Sequence, residues 1–382
     1  MINIFGVARF ITGCCRAELV FLFDAILAIS RVIEYYAVFV FLALGVIAAF
    51  TVNKRSALLI ALVLAAVSGP LLKEYYVQDR PCVDGPDGSL CPATTGLPSI
   101  HALTATIFAV ASLGTPSLLF FAPVAAVIAL SRIYLNFHSP EQVAAGMALG
   151  IALFSFAEGI LARFKREKPF SLKEGKKNAA SKSGKTHAPW SLEMEARRQA
   201  LHVIFGACII ALALWAGVPS AVTLLAIALA VGLFTAGLVM LGWRVPLAGE
   251  ILQTFERKKV MPGKGAMHYA AGCLLLLTFG QANFALAMVA VLAFGDGAST
   301  IVGRAWGKKK LPWNSKKSWA GTAAFFAFGA AASAFFIALP QALAYSFLLA
   351  LIETIPADVD DNLLVPVSAL ALQTVSRALF GI

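Results

Sequence analysis

Charge is scarce in this chain: 13% of its 382 residues are Asp, Glu, Lys or Arg, against 59% hydrophobic. That scarcity excludes a soluble globular protein, which cannot hide so much apolar surface, so most of it must face lipid. Acids are the scarcer sign, 20 against 31 basic residues, for a net charge of +11. The excess is not a nucleic-acid signature. It concentrates in loops and in residues 163–187, the distribution of cytoplasmic membrane loops that meet anionic lipid. No nucleic-acid partner is expected. The chain has no Walker A string, which excludes a P-loop ATPase. A cleavable leader is not expected either: Arg9 and Arg16 flank only a short apolar stretch without a small-residue cleavage site.

Apolar runs recur along nearly the whole length and predict an all-α polytopic membrane protein of about thirteen spans in two bundles. Six spans precede a polar stretch, residues 164–196, rich in Lys, Ser, Gly and Ala, and about seven follow it. The expected division is therefore 1–163, a linker 164–196, and 197–382. Basic loops set the orientation. Lys54 and Arg55, the linker, Arg257–Lys259 and the Lys308–Lys317 region should be cytoplasmic, with the N-terminus. Loop 77–97 and the turn before His138 then fall outside, while Arg304–Lys317 and Glu353–Asn362 fall inside. An integral plasma-membrane location follows. Cys82 and Cys91 share the outer loop, where a disulfide or two free thiols can be accommodated. Cys14, Cys15, Cys208 and Cys273 sit in or beside apolar runs and read as membrane or core residues.

Two constellations carry chemistry. In the first, Lys73 and Arg80 lie across a helix end closed by Pro81, and Arg132 follows Ser131 at another helix end, six residues before His138. Cations at such depth are costly unless they meet an anion. With Ser99, His101 and His138 they make an oxyanion cage for a phosphoryl group. One histidine can attack phosphorus and the other can protonate the leaving oxygen.

The strings KEYYVQDRP, PSIH and SRIYLNFHSPEQ resemble the three ordered motifs of the type-2 phosphatidic acid phosphatase superfamily. The resemblance implies His138 as the nucleophile that becomes phosphohistidine and His101 as the general acid. It implies Lys73, Arg80, Ser99 and Arg132 as phosphate ligands, with no metal or other cofactor. Two positions depart. Ile100 replaces a Gly, which could crowd the phosphate. Gln142 replaces the Asp that orients the nucleophile; it can accept a hydrogen bond from imidazole but cannot stabilise imidazolium by charge. The SRIYLNFHSPEQV stretch is similar to the dolichyl-diphosphatase branch, where Gln stands at that place.

The second constellation is GDGASTIVGRAWGKKKLPWNSKKSWAGT. Asp296 lies between glycines and precedes a cluster of cations that could neutralise a triphosphate. A carboxylate beside phosphate oxygens suits Mg²⁺, with Asp296 as its ligand. This string, with EARRQALHVIFG, EILQTFERKK, PGKGAMHYAAG and ETIPADVDDNLLVP, resembles the membrane family of dolichol kinase, phytol kinase and CTP-dependent diacylglycerol kinase. The resemblance implies Mg²⁺ and CTP as donor and a lipid alcohol as acceptor. Asp296, Lys316, Lys317 and Arg304 are then nucleotide-side residues. Glu353, Asp361 and Asn362 are site polars, one of them a base, and Arg198, His202, Glu250 and His268 are further candidates. A CDP-lipid synthase is disfavoured, because Ala320 stands where that family carries an acid.

Together the halves predict a bifunctional enzyme of one lipid carrier. Polyprenyl (dolichyl) diphosphate would be dephosphorylated outside, and polyprenol phosphorylated with CTP inside. Alternatives are a phosphatidate phosphatase fused to a diacylglycerol, phytol or geranylgeraniol kinase, and a non-catalytic lipid-binding protein. Prenyl chain length, CTP against ATP, and a monomer against a homo-oligomer stay open.

Overall fold

The computed structural model describes residues 28–83, 91–166, 192–246 and 262–380. Glu250, Arg257–Lys259, Cys14, Cys15 and most of the 164–196 linker lie outside the described residues. The described chain is helical, as expected, apart from one short hairpin.

The first helices are α1 (Ala28–Tyr35), α2 (Ala37–Thr51), α3 (Arg55–Tyr75), α4 (Ile100–Ala111), α5 (Leu118–Tyr134) and α6 (Pro140–Arg166). Among the described residues, six helices are long and apolar enough to cross a membrane, or seven if the bent pair α1–α2 counts as one span. The thirteen expected spans are thus not thirteen full-length helices. The chain bends by 87° between α1 and α2, and α4 has 12 residues, about 18 Å against a hydrocarbon core of about 30 Å. Exposed Val38, Phe39, Leu42, Val46 and Phe50 give α2 a lipid-type surface.

The second half holds α7 (Leu192–Ala216), α8 (Val218–Met240), α9 (Lys264–Phe279), α10 (Ala282–Ala290) and a π-helical turn, Val291–Asp296. Then come α11 (Gly297–Ala305), strands β1 (Lys310–Leu311) and β2 (Asn314–Ser318), α12 (Trp319–Ser333), α13 (Leu339–Glu353) and α14 (Asp361–Phe380). The strands pair antiparallel, where the sequence suggested only a basic loop.

The two expected bundles share one core. Phe154 of α6, Leu233 of α8 and Leu274 of α9 belong to the same buried apolar cluster, and α6 packs on both α8 and α9. Helix α6 also fixes α4. A Cβ on Gly146 would lie 2.4 Å from the Ser99 carbonyl oxygen, and one on Gly150 would lie 2.7 Å from that of Leu103. This small-xxx-small face brings the two backbones into direct contact and seats the start of α4 beside the start of α6. There the Ser99 amide donates to the Gln142 carbonyl at 2.9 Å.

Candidate functional sites

The first site forms where α3, α4, α5 and α6 present their ends. Arg80 Nη1 donates to His138 Nε2 at 3.1 Å and to the Phe137 carbonyl at 3.0 Å. Its Nε donates to the Thr94 carbonyl at 2.7 Å and its Nη2 to Thr94 Oγ1 at 3.0 Å. Lys73 Nζ donates to the Thr95 carbonyl. The loop that supplies Thr94 and Thr95 is closed by a Cys82–Cys91 disulfide.

Gln142 settles the state of the nucleophile candidate. Its Nε2 donates to the Asp79 carbonyl at 2.8 Å and to Gln78 Oε1 at 3.3 Å. That fixes Oε1 towards His138 Nδ1, 3.2 Å away. An amide oxygen only accepts, so the network assigns the proton to Nδ1. Nε2 is then the free lone pair, and it accepts from Arg80. Burial, followed by the Arg80 and Lys73 cations, pushes the His138 imidazole down to about 3, so the ring is neutral near pH 7.

Ser99 sits at the N-cap of α4, yet its hydroxyl makes no capping bond. It is fully buried and Oγ has no hydrogen-bond partner. A buried hydroxyl without a partner at a helix N-terminus is chemically suited to accept an anion. His101, the second residue of α4, has its ring 5.8 Å from that of Phe41, and the charges of Arg132, Glu34, Arg80 and Lys73 all act on it. Arg132 is 1% exposed and pairs with Glu34; the sequence reading missed that acid. The departure at Ile100 has a physical answer: a Cβ on Gly69 of α3 would lie 2.4 Å from Ile100 Cδ1. The side chain therefore fills space left by a glycine on the neighbouring helix.

The second site lies at the other end of α6. Between Gln142 and Gly159 that helix rises about 26 Å. At its far end Lys54 pairs with Glu158 at 2.5 Å, and a Cβ on Gly159 would come 3.1 Å from the Asp358 carbonyl oxygen. Beyond this contact opens a cavity of about 820 Å³ lined by Asp296, Glu353, Asp361, Asn362, Lys310, Lys316, Lys317, Arg198 and Arg304 among others. Ligand oxygens of Asp296, Glu353 and Asp361 lie within 4.8 Å of one another. Lys317 Nζ donates to Glu353 Oε1 at 2.5 Å and to Asp361 Oδ2 at 2.8 Å. Burial alone would lower the Lys317 pKa, but Glu353, Asp361 and Asp296 more than reverse this and hold it above its ordinary value. Three carboxylates facing one ammonium leave an excess of negative charge on hard oxygen donors. That donor set fits a hard divalent cation.

Local structure explains these placements. The π turn Val291–Asp296 interrupts a membrane-length helix and shifts its register where Asp296 emerges, as such turns commonly do at functional sites. The hairpin is clipped to the end of α13 by Trp313 Nε1 on Thr354 Oγ1 (3.2 Å) and Asn314 Nδ2 on the Thr354 carbonyl (3.0 Å). Along β2, Lys317 is half-buried and Lys316 exposed; the ion pairs with Glu353 and Asp361 hold Lys317 in. Ser299, unremarked in the sequence, donates to Glu353 Oε1 at 3.0 Å. Arg198 and Arg304 both grip the fully buried Glu195, at 2.6 and 2.9 Å, so they line the cavity with one carboxylate already bound. His202 Nε2 donates to the Leu292 carbonyl at 3.1 Å and lies 3.8 Å from Asp296 Oδ2. It supports the acid from below. Asn362 reaches the Gly265 carbonyl at 3.5 Å, with Oδ1 buried and unpartnered.

A helical protein with membrane-length spans and a buried His–Arg–Ser anion cage is the class these features define. Residues 53–165 match the PAP2 superfamily, and this segment is a PAP2 superfamily domain. The chain is also similar to phytol kinases. It is 35% identical over 147 residues to a probable chloroplastic phytol kinase of Triticum aestivum, covering 34% of this chain and 48% of that protein. It is 30% identical over 133 residues to the phytol kinase of Synechocystis sp., covering 34% and 52%. With probable phytol kinase 2 of Oryza sativa subsp. japonica the identity is 37% over 128 residues, covering 28% and 41%. The chain thus spans about half the length of the curated relatives it matches. No solved structure matches it.

Proposed function

We propose that the protein is a two-site membrane enzyme of isoprenoid lipid phosphates. One site is a prenyl diphosphate phosphatase at the His138 end of α6; the other is a CTP-dependent prenol kinase at the Asp296 end. The observation that carries the reading is the placement of an anion cage and a carboxylate–lysine cavity at opposite ends of one helix. The likeness to phytol kinases favours an isoprenoid alcohol over diacylglycerol as acceptor, and Gln142 favours a prenyl diphosphate over phosphatidate.

In the phosphatase step His138 Nε2 attacks the terminal phosphorus. The bond to the lipid monophosphate breaks, and His101 protonates the departing oxygen. Water then cleaves phosphohistidine to inorganic phosphate and restores the ring. Arg80, Lys73, Arg132 and Ser99 hold the equatorial oxygens, while Gln142 keeps the Nδ1–H tautomer.

In the kinase step the prenol hydroxyl gives its proton to a carboxylate of the Glu353–Asp361 pair, attacks the terminal phosphorus of CTP, and CDP leaves. Lys317, Lys316 and Lys310 offset the phosphate charge. Asp296, with the other carboxylate of that pair, would hold Mg²⁺, which when bound screens the phosphate oxygens. The basic loops favour this end in the cytoplasm and the His138 end outside, across a plasma membrane.

The test is purified protein offered polyprenyl diphosphate or phosphatidate, and γ-labelled CTP or ATP with phytol, polyprenol or diacylglycerol. Phosphate release from the prenyl diphosphate and label on a prenol are expected. Release from phosphatidate alone, or label on diacylglycerol alone, would overturn the substrate assignment.

A further inference from the structure

Helix α6 belongs in sequence to the PAP2 domain, yet its later turns lie on the second half. Ser155 Oγ is 2.9 Å from His268 Nε2 of α9. His268 Nδ1 faces Asp360 Oδ2 at 3.5 Å. With Nδ1–H turned to the carboxylate, Nε2 accepts and Ser155 donates. Asp360 holds the start of α14: its Oδ1 accepts from the Asn362 amide at 3.1 Å, and its carbonyl accepts from Leu363 and Leu364 at 2.9 and 3.0 Å. The next residue is Asp361, which binds Lys317 within the carboxylate cluster. One turn beyond Ser155, the backbone of α6 at Gly159 touches that of Asp358. A Ser–His–Asp order suggests a nucleophile, but the geometry refuses it. Ser155 is 7% exposed within a continuous helix, and the adjoining cavity of about 20 Å³ has room for about one water.

We propose that Ser155, acting through His268 and Asp360, is a positioning residue for Asp361, so that the carboxylate–lysine site is incomplete without helix α6 of the PAP2 domain. The inference rests on the kinase reading of the second half. Residues 155 and 268 are 113 apart in sequence; a hydrogen bond joins Ser155 to His268, a 3.5 Å contact joins His268 to Asp360, and the peptide bond joins Asp360 to Asp361 at the start of α14. Removing an outer hydrogen bond that orients a ligating side chain typically costs about 10–100-fold in affinity or activity.

The full-length protein in lipid nanodiscs tests it, with Ser155→Ala, Ser155→Thr, His268→Asn and the double variant Ser155→Ala/His268→Asn. Label transfer from CTP to phytol, resolved into kcat and nucleotide KM, is read beside phosphate release from prenyl diphosphate. Amide exchange over residues 358–364 is followed in the same samples. Ser155→Ala should lower transfer kcat about tenfold, leave nucleotide KM and phosphatase turnover within about twofold, and speed exchange at 358–364. Ser155→Thr should restore transfer. The double variant should be no worse than His268→Asn, because both act along one chain. Should Ser155→Ala disturb folding, seen as parallel loss of phosphatase turnover, His268→Asn alone carries the same kcat expectation. A wild type that transfers phosphate beside equally active Ser155→Ala and His268→Asn overturns this proposal and leaves the kinase reading standing. A wild type that transfers no phosphate from any nucleotide overturns the kinase reading and this proposal with it.

Discussion

Gln142 Oε1 lies 3.2 Å from His138 Nδ1, one helical turn away at the start of α6, and it is locked in that direction by two donor contacts of its own amide nitrogen. A neutral acceptor thus does the orienting that a carboxylate would do. Gln142→Leu should lower phosphatase kcat by about 10²-fold, while Gln142→Asp should stay within about tenfold of the parent. Steady-state phosphate release decides it. Equal activity of the Leu variant would remove Gln142 from the mechanism.

The same network makes Gly96 a sensitive position, although it bears no side chain. A Cβ there would meet the Gln142 amide at 2.3–2.5 Å, too close for contact. Gly96→Ala should displace Gln142 and depress phosphatase turnover nearly as far as Gln142→Leu, with transfer from CTP unchanged in the same preparation.

His138 also carries a pH signature. Its folded pKa is depressed to about 3 from 6.5, so the folded state binds this proton less readily than the unfolded chain. Its contribution to stability is fully present above pH 6.5 and is lost as pH falls from there towards 3, with a limiting slope of about 1.4 kcal/mol per pH unit. In detergent, the thermal midpoint of His138→Gln should therefore fall less steeply than the parent's between pH 6.5 and pH 4. Parallel curves would contradict the burial of an uncharged ring.

Ile100 and Gly69 should behave as one unit. Ile100→Gly empties the space over Gly69 and should cost about 2–4 kcal/mol of stability. Gly69→Ala alone should also destabilise, since its Cβ would fall 2.4 Å from Ile100 Cδ1. Gly69→Ala with Ile100→Val should recover part of the loss, and midpoints of the single and double variants measure the coupling.

At the far site, Lys317→Met leaves Asp296, Glu353 and Asp361 without their ammonium. Transfer from CTP should fall by at least about 10²-fold, while phosphatase turnover stays at the parent level. Retained transfer would exclude Lys317 from the site.

Much of both sites was legible because their residues come in short strings anchored to helix ends. KEYYVQDRP, PSIH and SRIYLNFHSPEQ name Lys73, Arg80, Ser99, His101, Arg132, His138 and Gln142, and local spacing alone puts His138 and Gln142 on one turn. The acids Asp296, Glu353 and Asp361 were visible within the strings that resemble the lipid-kinase family, and the structure brings all three together. What stayed hidden acts over long separations. Glu34 meets Arg132 across 98 residues, and Glu195 meets Arg304 across 109; neither pairing leaves a local pattern. The β1–β2 hairpin was invisible because Asn-Ser-Lys-Lys-Ser lacks the β-branched alternation of a strand and is held by Thr354 from outside. The span count drifted because hydropathy reports apolar length, and neither the bend at Tyr36 nor the short α4 changes it.

Helix α6 meets His138 with its first turn and, through Gly159, the backbone of Asp358 at the rim of the carboxylate cavity, so the distance between the sites is as fixed as the helix is stiff. On the proposed function, a headgroup leaving one site is not passed directly to the other, because about 26 Å of packed helix stands between them. On that function, whatever the two sites share they would share through the leaflets, at the speed of lipid translocation.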